Sequence, residues 1–578
     1  MKLIITYLLK YKRYFFINLL AVFGVAAAEL GIPIIISNII DKALPTSDLN
    51  LLYKLGGFLA AVAIFGSIGN IIINYASART STLILRDLRG EVFKKIQTFS
   101  PEEINDYGIS SLMTRTTSDV FQILNFVSVF YRVAFMAPVM ILVATFLVAT
   151  RTPSLLSNLL IVIPIIILGI ILVVILSRSL SERQQRNLDR INLVTRENLT
   201  GVRVVRAFRK NKYEKERFQV ANETYSDNAI KLFRLMTSIE PIFFFILNVA
   251  LVITIYYASG RINLPNSDLT IGQLVEYNDF QFLVMFSILT FAQLFIMYPR
   301  TMVSARRIND ILDREPKVKN NENALTHVKD LGTLDFKNVS FSYPDSEASV
   351  LHNISFSAKK GETIAFIGST GSGKSTLINL VPRLYNVTQG EILFNNVNIN
   401  DYDLKYLRSK VGFISQKAIL FKGTIEMNIK FGKHDATLDE VIAAAKIAQA
   451  HDFILEKENG YQDMVSELGS NLSGGQKQRL SIARALIKKP DIYIFDDSFS
   501  ALDYKTDAML RSVLKNYAKD AITLIVAQRV SSIIDSDKII VLDYGNIVCE
   551  GTHDDLMASC TIYQEIAKSQ LSEEELSK

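Results

Sequence analysis

Residues 363–380 read TIAFIGSTGSGKSTLINL. Apolar residues run up to Gly368, three glycines crowd the loop that follows, and a helical run starts near Ser375. Such a loop lets backbone N–H groups turn inward around phosphate oxygens, where a Cβ would obstruct them. Gly368, Gly373, Lys374 and Ser375 carry the phosphate-binding spacing, with Ser369, Thr370, Gly371, Ser372 and Thr376 completing the stretch. In that pattern Lys374 reaches the β/γ-phosphates and the Ser375 hydroxyl binds Mg²⁺. The helix start adds its positive end to the same anion site. Taken alone, the stretch also fits a plain glycine turn between a strand and a helix.

A second segment decides between these readings. Residues 492–497, IYIFDD, are four apolar residues ending in two carboxylates. They read as a buried strand delivering acid groups to its C-terminal end, where ligands bind in α/β sheets. Asp496 fits the acidic group that holds Mg²⁺ through water. With the glycine loop it predicts a nucleotide and Mg²⁺ site. Strands and helices alternate from about residue 333, as in an α/β domain with a partly parallel sheet.

The first half has a different character. Of the 578 residues 49% are hydrophobic, and they concentrate before about residue 300. Six stretches there, centred on 15–40, 52–76, 121–149, 155–177, 236–258 and 274–298, reach the ~20 residues a bilayer crossing needs. The connections 41–51, 150–154 and 259–271 hold only Lys42, Arg151 and Arg261, whereas 77–120 and 178–233 are rich in Lys and Arg. The positive-inside rule then puts the long connections, both termini and the second domain in the cytosol. Helical spacing of Leu85, Leu88, Val92 and Ile96 continues the second span about 23 residues, or ~35 Å, beyond the bilayer. Segments 100–119 and 196–210 are expected at the tips, touching another domain. Residues 2–13 suit either a short helix on the membrane face or the flank of the first span. The polar run 314–323, REPKVKNNEN, marks a linker. The expected division is 1–315 membrane domain, 316–332 linker and 333–578 soluble domain. Net charge is +6 with no basic patch interleaved with aromatics, which excludes nucleic acid as a partner. Cys549 and Cys560 are too few for a disulfide framework or a zinc site and read as reduced cytosolic thiols.

Polar groups at membrane depth usually face a bundle interior or a watery cavity. Glu29, Arg132 and Glu240 are the candidates for a substrate cavity, among a wider set with Asn70, Asn74, Glu276, Asp279, Gln281 and Gln293.

Between the loop and the acidic strand stands LSGGQ, residues 472–476, followed by KQRLSIARAL. Here the chain resembles the ATP-binding cassette (ABC) transporters, and six spans ahead of one cassette resemble their exporter branch. The resemblance implies that the nucleotide is ATP, that Tyr343 stacks on adenine, that Gln416 joins Mg²⁺ to the membrane domain, and that Glu467 touches the cytosolic loops. It implies that Ser500–Asp503, with Asp503, form a dimer-contact loop. Leu472, Ser473, Gly474, Gly475 and Gln476 would close over the γ-phosphate bound by an opposite subunit. The residue types suit that role, since Ser473 and two glycine amides ahead of a helix form a second anion cradle.

Two positions depart from the family pattern. Asp497 stands where a catalytic Glu normally follows the magnesium aspartate, and Gln528 stands where a switch His precedes Arg. A carboxylate one CH₂ shorter withdraws by ~1.5 Å. A shift of about 1 Å can cost ~100-fold in a positioned reaction. Gln528 can donate a hydrogen bond but does not titrate. Both changes in one site, beside an intact LSGGQ, resemble the degenerate-site subunit of heterodimeric bacterial multidrug exporters, the LmrCD and BmrCD type. The resemblance implies a bacterial cell-membrane protein exporting hydrophobic or amphipathic drug-like compounds. It also implies a second, different half-transporter with a catalytic Glu and a switch His, and contact with membrane lipid. Rival cargoes are a lipid, a peptide or an imported substrate. A rival of another class is a membrane receptor or channel with an ATP-sensing cassette.

Overall fold

The computed structural model describes residues 2–262, 269–343, 346 and 348–570. The chain divides into two compact units: Met1–Gln97 with Gly108–Arg314, and Thr98–Tyr107 with Glu315–Lys578.

The first unit is helical. A short α1 (Lys2–Lys10) precedes α2 (Lys12–Thr46) and α3 (Leu49–Ile96). After α4 (Pro101–Tyr107), which belongs to the second unit, come α5 (Ile109–Arg151), α6 (Pro153–Thr200), α7 (Val202–Ala207), α8 (Asn211–Ile262) and α9 (Ile271–Asp313). Helices α2, α3, α5, α6, α8 and α9 are each long and apolar enough to cross a membrane. Apolar side chains that no protein core covers, such as Ile161, Leu168 and Ile175, line α6. In lipid every backbone polar group must be satisfied internally, which a continuous helix does. At ~1.5 Å per residue the 48 residues of α3 run about 72 Å, more than twice a ~30 Å hydrocarbon core. The extension expected from the Leu85–Ile96 pattern is therefore present. Of the two readings of residues 2–13, a separate helix is found. It is tied to α3 by Tyr7 donating to Glu91 (2.5 Å), and by Tyr11 (2.5 Å) and Lys10 (2.6 Å) donating to Asp87.

Polar groups close one end of this helical unit. Arg151 pairs with the fully buried Glu276 through Nε to Oε1 (2.5 Å) and Nη2 to Oε2 (3.1 Å), and Gln273 donates to the Arg151 carbonyl. Asp41 accepts from the Gly272 N–H (2.8 Å) and the Thr270 hydroxyl (2.5 Å). A Cβ at Gly272 would stand 2.5 Å from both the Asp41 carboxylate and the Ser37 carbonyl, so only glycine admits this approach.

The second unit is an α/β domain. Its strands are β1 (Thr333–Phe341), β2 (Leu351–Lys359), β3 (Thr363–Gly368), β4 (Gln389–Phe394), β5 (Val397–Asn398), β6 (Val411–Ile414), β7 (Gly423–Thr424), β8 (Met464–Val465), β9 (Ile492–Asp496), β10 (Ile522–Val526), β11 (Lys538–Asp543) and β12 (Asn546–Gly551). Its further helices are α10 (Lys374–Leu380), α11 (Leu404–Ser409), α12 (Ile425–Lys430), α13 (Leu438–Ile447), α14 (His451–Leu455), α15 (Gly474–Leu486), α16 (Tyr504–Tyr517), α17 (His553–Ser559) and α18 (Thr561–Gln570). The main sheet runs β12-β11-β3-β10-β9-β6, all parallel except β12. Side chains alternate between two cores. Along β9, Ile492 and Ile494 face one, and Tyr493 and Phe495 the other. Burial on both faces is why IYIF reads as an unbroken apolar run. An antiparallel sheet β2-β1-β4-β5 supplies the second layer.

Helix α4 joins this domain through the fully buried Glu103, which accepts from the Ser100 N–H (2.7 Å) and hydroxyl (2.5 Å) and from the Lys317 N–H (2.6 Å). Thus of the two expected tips, residues 98–107 group with the second unit. The polar stretch after Arg314 is fastened rather than free. Asn320 donates to Asp403 (2.6 Å) and Asn321 to the Asn400 carbonyl (2.9 Å).

The reading of the cysteines is corrected. Cys549 on β12 and Cys560 at the α17–α18 corner lie with Cα atoms 6.2 Å apart and are disulfide-bonded. A count of two says nothing about proximity; the chain reversal through α17 brings them together.

Removing Arg151 leaves the buried Glu276 carboxylate without its partner, and breaking a buried pair costs about 3 kcal/mol. Arg151→Met should therefore lower the melting temperature of the chain in lipid nanodiscs, and Arg151→Met with Glu276→Leu should recover most of the loss. Equal melting of parent and single variant would show that the pair does not stabilise the helices.

Candidate functional site

Four neighbouring parallel strands end at one edge of the sheet. β3 runs into the glycine loop, β10 ends two residues before Gln528, β9 ends at Asp496, and β6 ends two residues before Gln416. Their registers align, with Val526 opposite both Phe366 and Asp496, and Ile414 opposite Phe495. The loops after these strands therefore meet. A cleft of about 340 Å³ is lined by Thr370, Gly371, Gly373, Lys374, Ser375, Thr376, Gln416, Asp497 and Gln528, with Val350 and Val526.

Asp497 occupies the left-handed region (φ +47°), and its N–H donates to the Val526 carbonyl (2.9 Å). One of its oxygens, Oδ2, accepts from both Gln416 Nε2 (3.0 Å) and Gln528 Nε2 (2.9 Å). The Ser500 hydroxyl donates to the Asp497 carbonyl (2.9 Å). Asp496 accepts from the Ser375 hydroxyl at 2.7 Å. The sequence reading puts Asp497 and Gln528 in one site and names Gln416 separately. It missed that one carboxylate oxygen gathers both amides, because nothing local to either glutamine signals a shared acceptor.

The loop fits an anion. Lys374 holds its Nζ against the Gly368 carbonyl (2.8 Å), the Ser369 carbonyl (2.7 Å) and the Ser372 hydroxyl (3.2 Å). A Cβ at Gly368 would come within 2.0 Å of the Leu542 carbonyl, so glycine is obligatory at the turn. Tyr343 is half-buried, hydrogen-bonded with Thr376 (3.1 Å) and edge-on to Phe341 and Tyr385. Burial pushes the Lys374 ammonium below its ordinary range, opposed by the charges of Asp497 and Asp496. Burial likewise pushes Asp496 and Asp497 above the ordinary carboxylate range. A bound Mg²⁺–phosphate group would relieve both, since it brings positive charge to the acids and negative charge to the lysine. Among the described residues no three His, Cys, Asp or Glu side chains cluster as a metal cage. Mg²⁺ is held by a few hard oxygen donors, with phosphate and water completing its shell. Ser375, Gln416 and Asp496 are such donors, and the site fits ATP with Mg²⁺.

LSGGQ lies elsewhere on this unit. Leu472 is buried, and Ser473 caps the 13-residue α15 with Gln476 in a reciprocal capping box. Ser473 and Gly474 are exposed at the positive end of that helix, and a Cβ at Gly475 would stand 3.2 Å from the Ala501 carbonyl. The SALD loop therefore packs on the signature. Asp503 caps α16 through the Thr506 N–H (3.0 Å) and hydroxyl (2.7 Å). Glu467 is exposed in the turn just before the signature. Arg479, which the sequence reading passed over, donates to the Gln449 carbonyl (2.7 Å) and lies over the Phe453 ring, fixing α15 against α14.

The membrane candidates do not share partners. Glu29 is half-buried beside Asn70. Arg132 is exposed and reaches the Ser128 carbonyl of its own helix (3.3 Å), and Glu240 is exposed near the middle of α8. Among the described residues of this unit, Arg151 pairs with a carboxylate, Glu276, that is fully buried.

Residues 15–303 match the family described as ABC transporter transmembrane region, and residues 351–500 match the ABC transporter family. The chain is 34% identical over 548 residues to the ABC transporter ATP-binding protein YfiB of Bacillus subtilis (strain 168), itself uncharacterised, with 95% of each chain covered. It is 30% identical over 568 residues to YgaD of the same organism, covering 96% of this chain and 97% of that one. The name of YgaD gives multidrug export as a provisional description. A solved structure of a bacterial Atm1-family ABC exporter with ATP bound is similar with a TM-score of 0.81 at 25% identity, over 97% of this chain and 99% of that one.

Burial raises the Asp497 pKa in the folded chain, so ionising it costs folding stability as pH rises through the ordinary carboxylate range towards the raised value. Asp497→Asn keeps an oxygen acceptor for the two amides and removes the charge. In calorimetry of the nucleotide-free chain the variant should melt a few degrees above the parent near neutral pH. The gap should narrow as pH falls to about 4. A gap of constant size across that range would exclude ionisation of Asp497 as its source.

Proposed function

This chain belongs to the ABC transporters, with the exporter fold, and we propose that it is one half of a heterodimeric exporter whose own ATP site hydrolyses poorly. The observation that carries this reading is the Asp497 carboxylate, held through one oxygen by the side chains of Gln416 and Gln528. A general base must be free to accept a proton from the attacking water. Here the shortened side chain is engaged by two neutral donors, and neither donor can titrate in its place. ATP and Mg²⁺ would be held by Lys374, Ser375, Thr376, Gln416 and Asp496, with Tyr343 against the base. When bound, they supply the phosphoryl bond whose cleavage drives the transport cycle.

The intact signature supports the other half of the proposal. Ser473 and the Gly474–Gly475 amides are exposed at a helix N-terminus, where they suit a γ-phosphate held by another cassette. A different half-transporter, carrying a catalytic Glu and a switch His, would supply that phosphate site. Hydrolysis would occur mainly at the composite site completed by this chain's LSGGQ. The Lys and Arg of 77–120 and 178–233 support cytosolic placement of the long helical extensions, both termini and the cassette in a bacterial cell membrane. Cargo of hydrophobic or amphipathic drug-like character is supported by the provisional multidrug-export names of two relatives, YgaD and a Staphylococcus aureus protein 32% identical over 505 residues. Glu29, Arg132 and Glu240 are proposed to line its path.

Purified alone, the chain should show little ATPase activity, since a pair of copies joins two poor sites. Co-expression with the correct partner should raise turnover sharply. Robust ATP-driven accumulation in inside-out vesicles by the lone chain would overturn the heterodimer reading, and no accumulation with the partner would overturn the exporter reading.

Within the heterodimer, Ser473→Arg should nearly abolish ATPase, because losing a donor aimed at transition-state charge costs ~100–1,000-fold. Lys374→Ala should leave a measurable fraction, since it weakens the site that hydrolyses little. Equal inactivity of the two variants would mean that the poor site is needed for every closure.

A further inference from the structure

The two cysteines stand at one end of a helix whose other end holds the Gln528 loop. Cys560 is the corner between α17 and α18: its N–H donates to the Leu556 carbonyl (2.9 Å) and its carbonyl accepts from the Gln564 N–H (3.0 Å). The disulfide to Cys549 fastens this corner to β12. From there α18 runs ten residues, about 15 Å. Its middle is packed through the fully buried Tyr563 and Ala567, and the Tyr563 hydroxyl pairs with His553 Nδ1 (2.7 Å). At its far end Gln570 makes two hydrogen bonds to a single loop. Its Oε1 accepts from the Val530 N–H (2.9 Å), and its Nε2 donates to the Gln528 carbonyl (2.8 Å). The loop thus fixed is the one whose Gln528 side chain holds Asp497.

We propose that Cys549 and Cys560 form a reversible thiol–disulfide site that, when oxidised by the disulfide of a low-molecular-weight thiol, anchors α18 and thereby rigidifies the Gln528–Val530 loop through Gln570. The site is independent of whether the exporter is heterodimeric. Cys549 is half-buried and Cys560 only 1% exposed, so Cys549 meets the external reagent. Its thiolate attacks one sulfur of the external disulfide and displaces one thiolate. Cys560 then attacks the Cys549 sulfur of the mixed disulfide and displaces the second. Two protein thiols and one external disulfide become one protein disulfide and two external thiols, the latter carrying both protons. The structure holds the oxidised form, which a reducing compartment would return to the dithiol, and disulfides there are characteristically transient and regulatory.

The test uses the full chain in lipid nanodiscs, equilibrated with oxidised glutathione or with a phosphine reductant. Alkylation under denaturing conditions should count no free thiols in the first state and two in the second. Hydrogen exchange over 528–533, which contains the Val530 amide bonded to Gln570, should be several-fold faster in the reduced chain and slow again on reoxidation. Oxidised Gln570→Ala should exchange as fast as the reduced parent and gain nothing further on reduction. Two alkylatable thiols after oxidation would overturn the proposal, as would equal exchange in the two states. A redox difference that survives Gln570→Ala would overturn the route through α18.

Discussion

The parallel pairing of β3, β10, β9 and β6 is the constraint on which the candidate site depends. Parallel strands in register end together, so four loops far apart in sequence are delivered to one edge. The glycine loop, Asp496, Asp497, Gln416 and Gln528 need no loop long enough to reach across the domain. Burial of both sheet faces holds the register, because a one-residue slip would move Ile492 and Ile494 out of one core and Tyr493 and Phe495 out of the other. The same burial gives the site its electrostatic tension. Two carboxylates and a lysine are held away from water, each with its charged form disfavoured, in a cleft suited to the opposite charges of Mg²⁺ and phosphate.

The helical unit answers a different constraint. Continuous helices satisfy the backbone in lipid, which leaves side chains to settle which helices meet. Polar clasps do part of that work. Arg151 reaches Glu276 on α9, and Asp41 on α2 caps the start of α9 at Thr270 and Gly272. These groups are spent on structure. Of the residues chosen from sequence as cavity candidates, Glu29 is half-buried, and Arg132 and Glu240 are exposed on their helices.

The proposed division between a poor and a working ATP site rests on how one oxygen of Asp497 is occupied. In the family resemblance, Asp497 and Gln528 are two separate losses, a shortened base and a switch that cannot titrate. In the folded chain they are one arrangement, because Gln528 donates to Asp497 and the left-handed backbone at Asp497 turns its carboxylate to receive it. A single substitution at either position therefore changes the surroundings of the other.

The amino-acid sequence alone was enough for the architecture. Runs of ~20 apolar residues, the glycine loop, IYIFDD and LSGGQ are local patterns, and each is dictated by chemistry acting within a few residues. The long extension of α3 was legible for the same reason, since helical spacing continues past the apolar run. What tertiary structure decided are meetings between distant side chains. Cys549 with Cys560, Glu103 with the Lys317 amide, Arg151 with Glu276, and the two amides on Asp497 all depend on where the chain returns. A spacing pattern records which residues share a turn or a strand face. It does not record which partner a buried polar atom finds, because that choice is made by the packing of the whole unit around it.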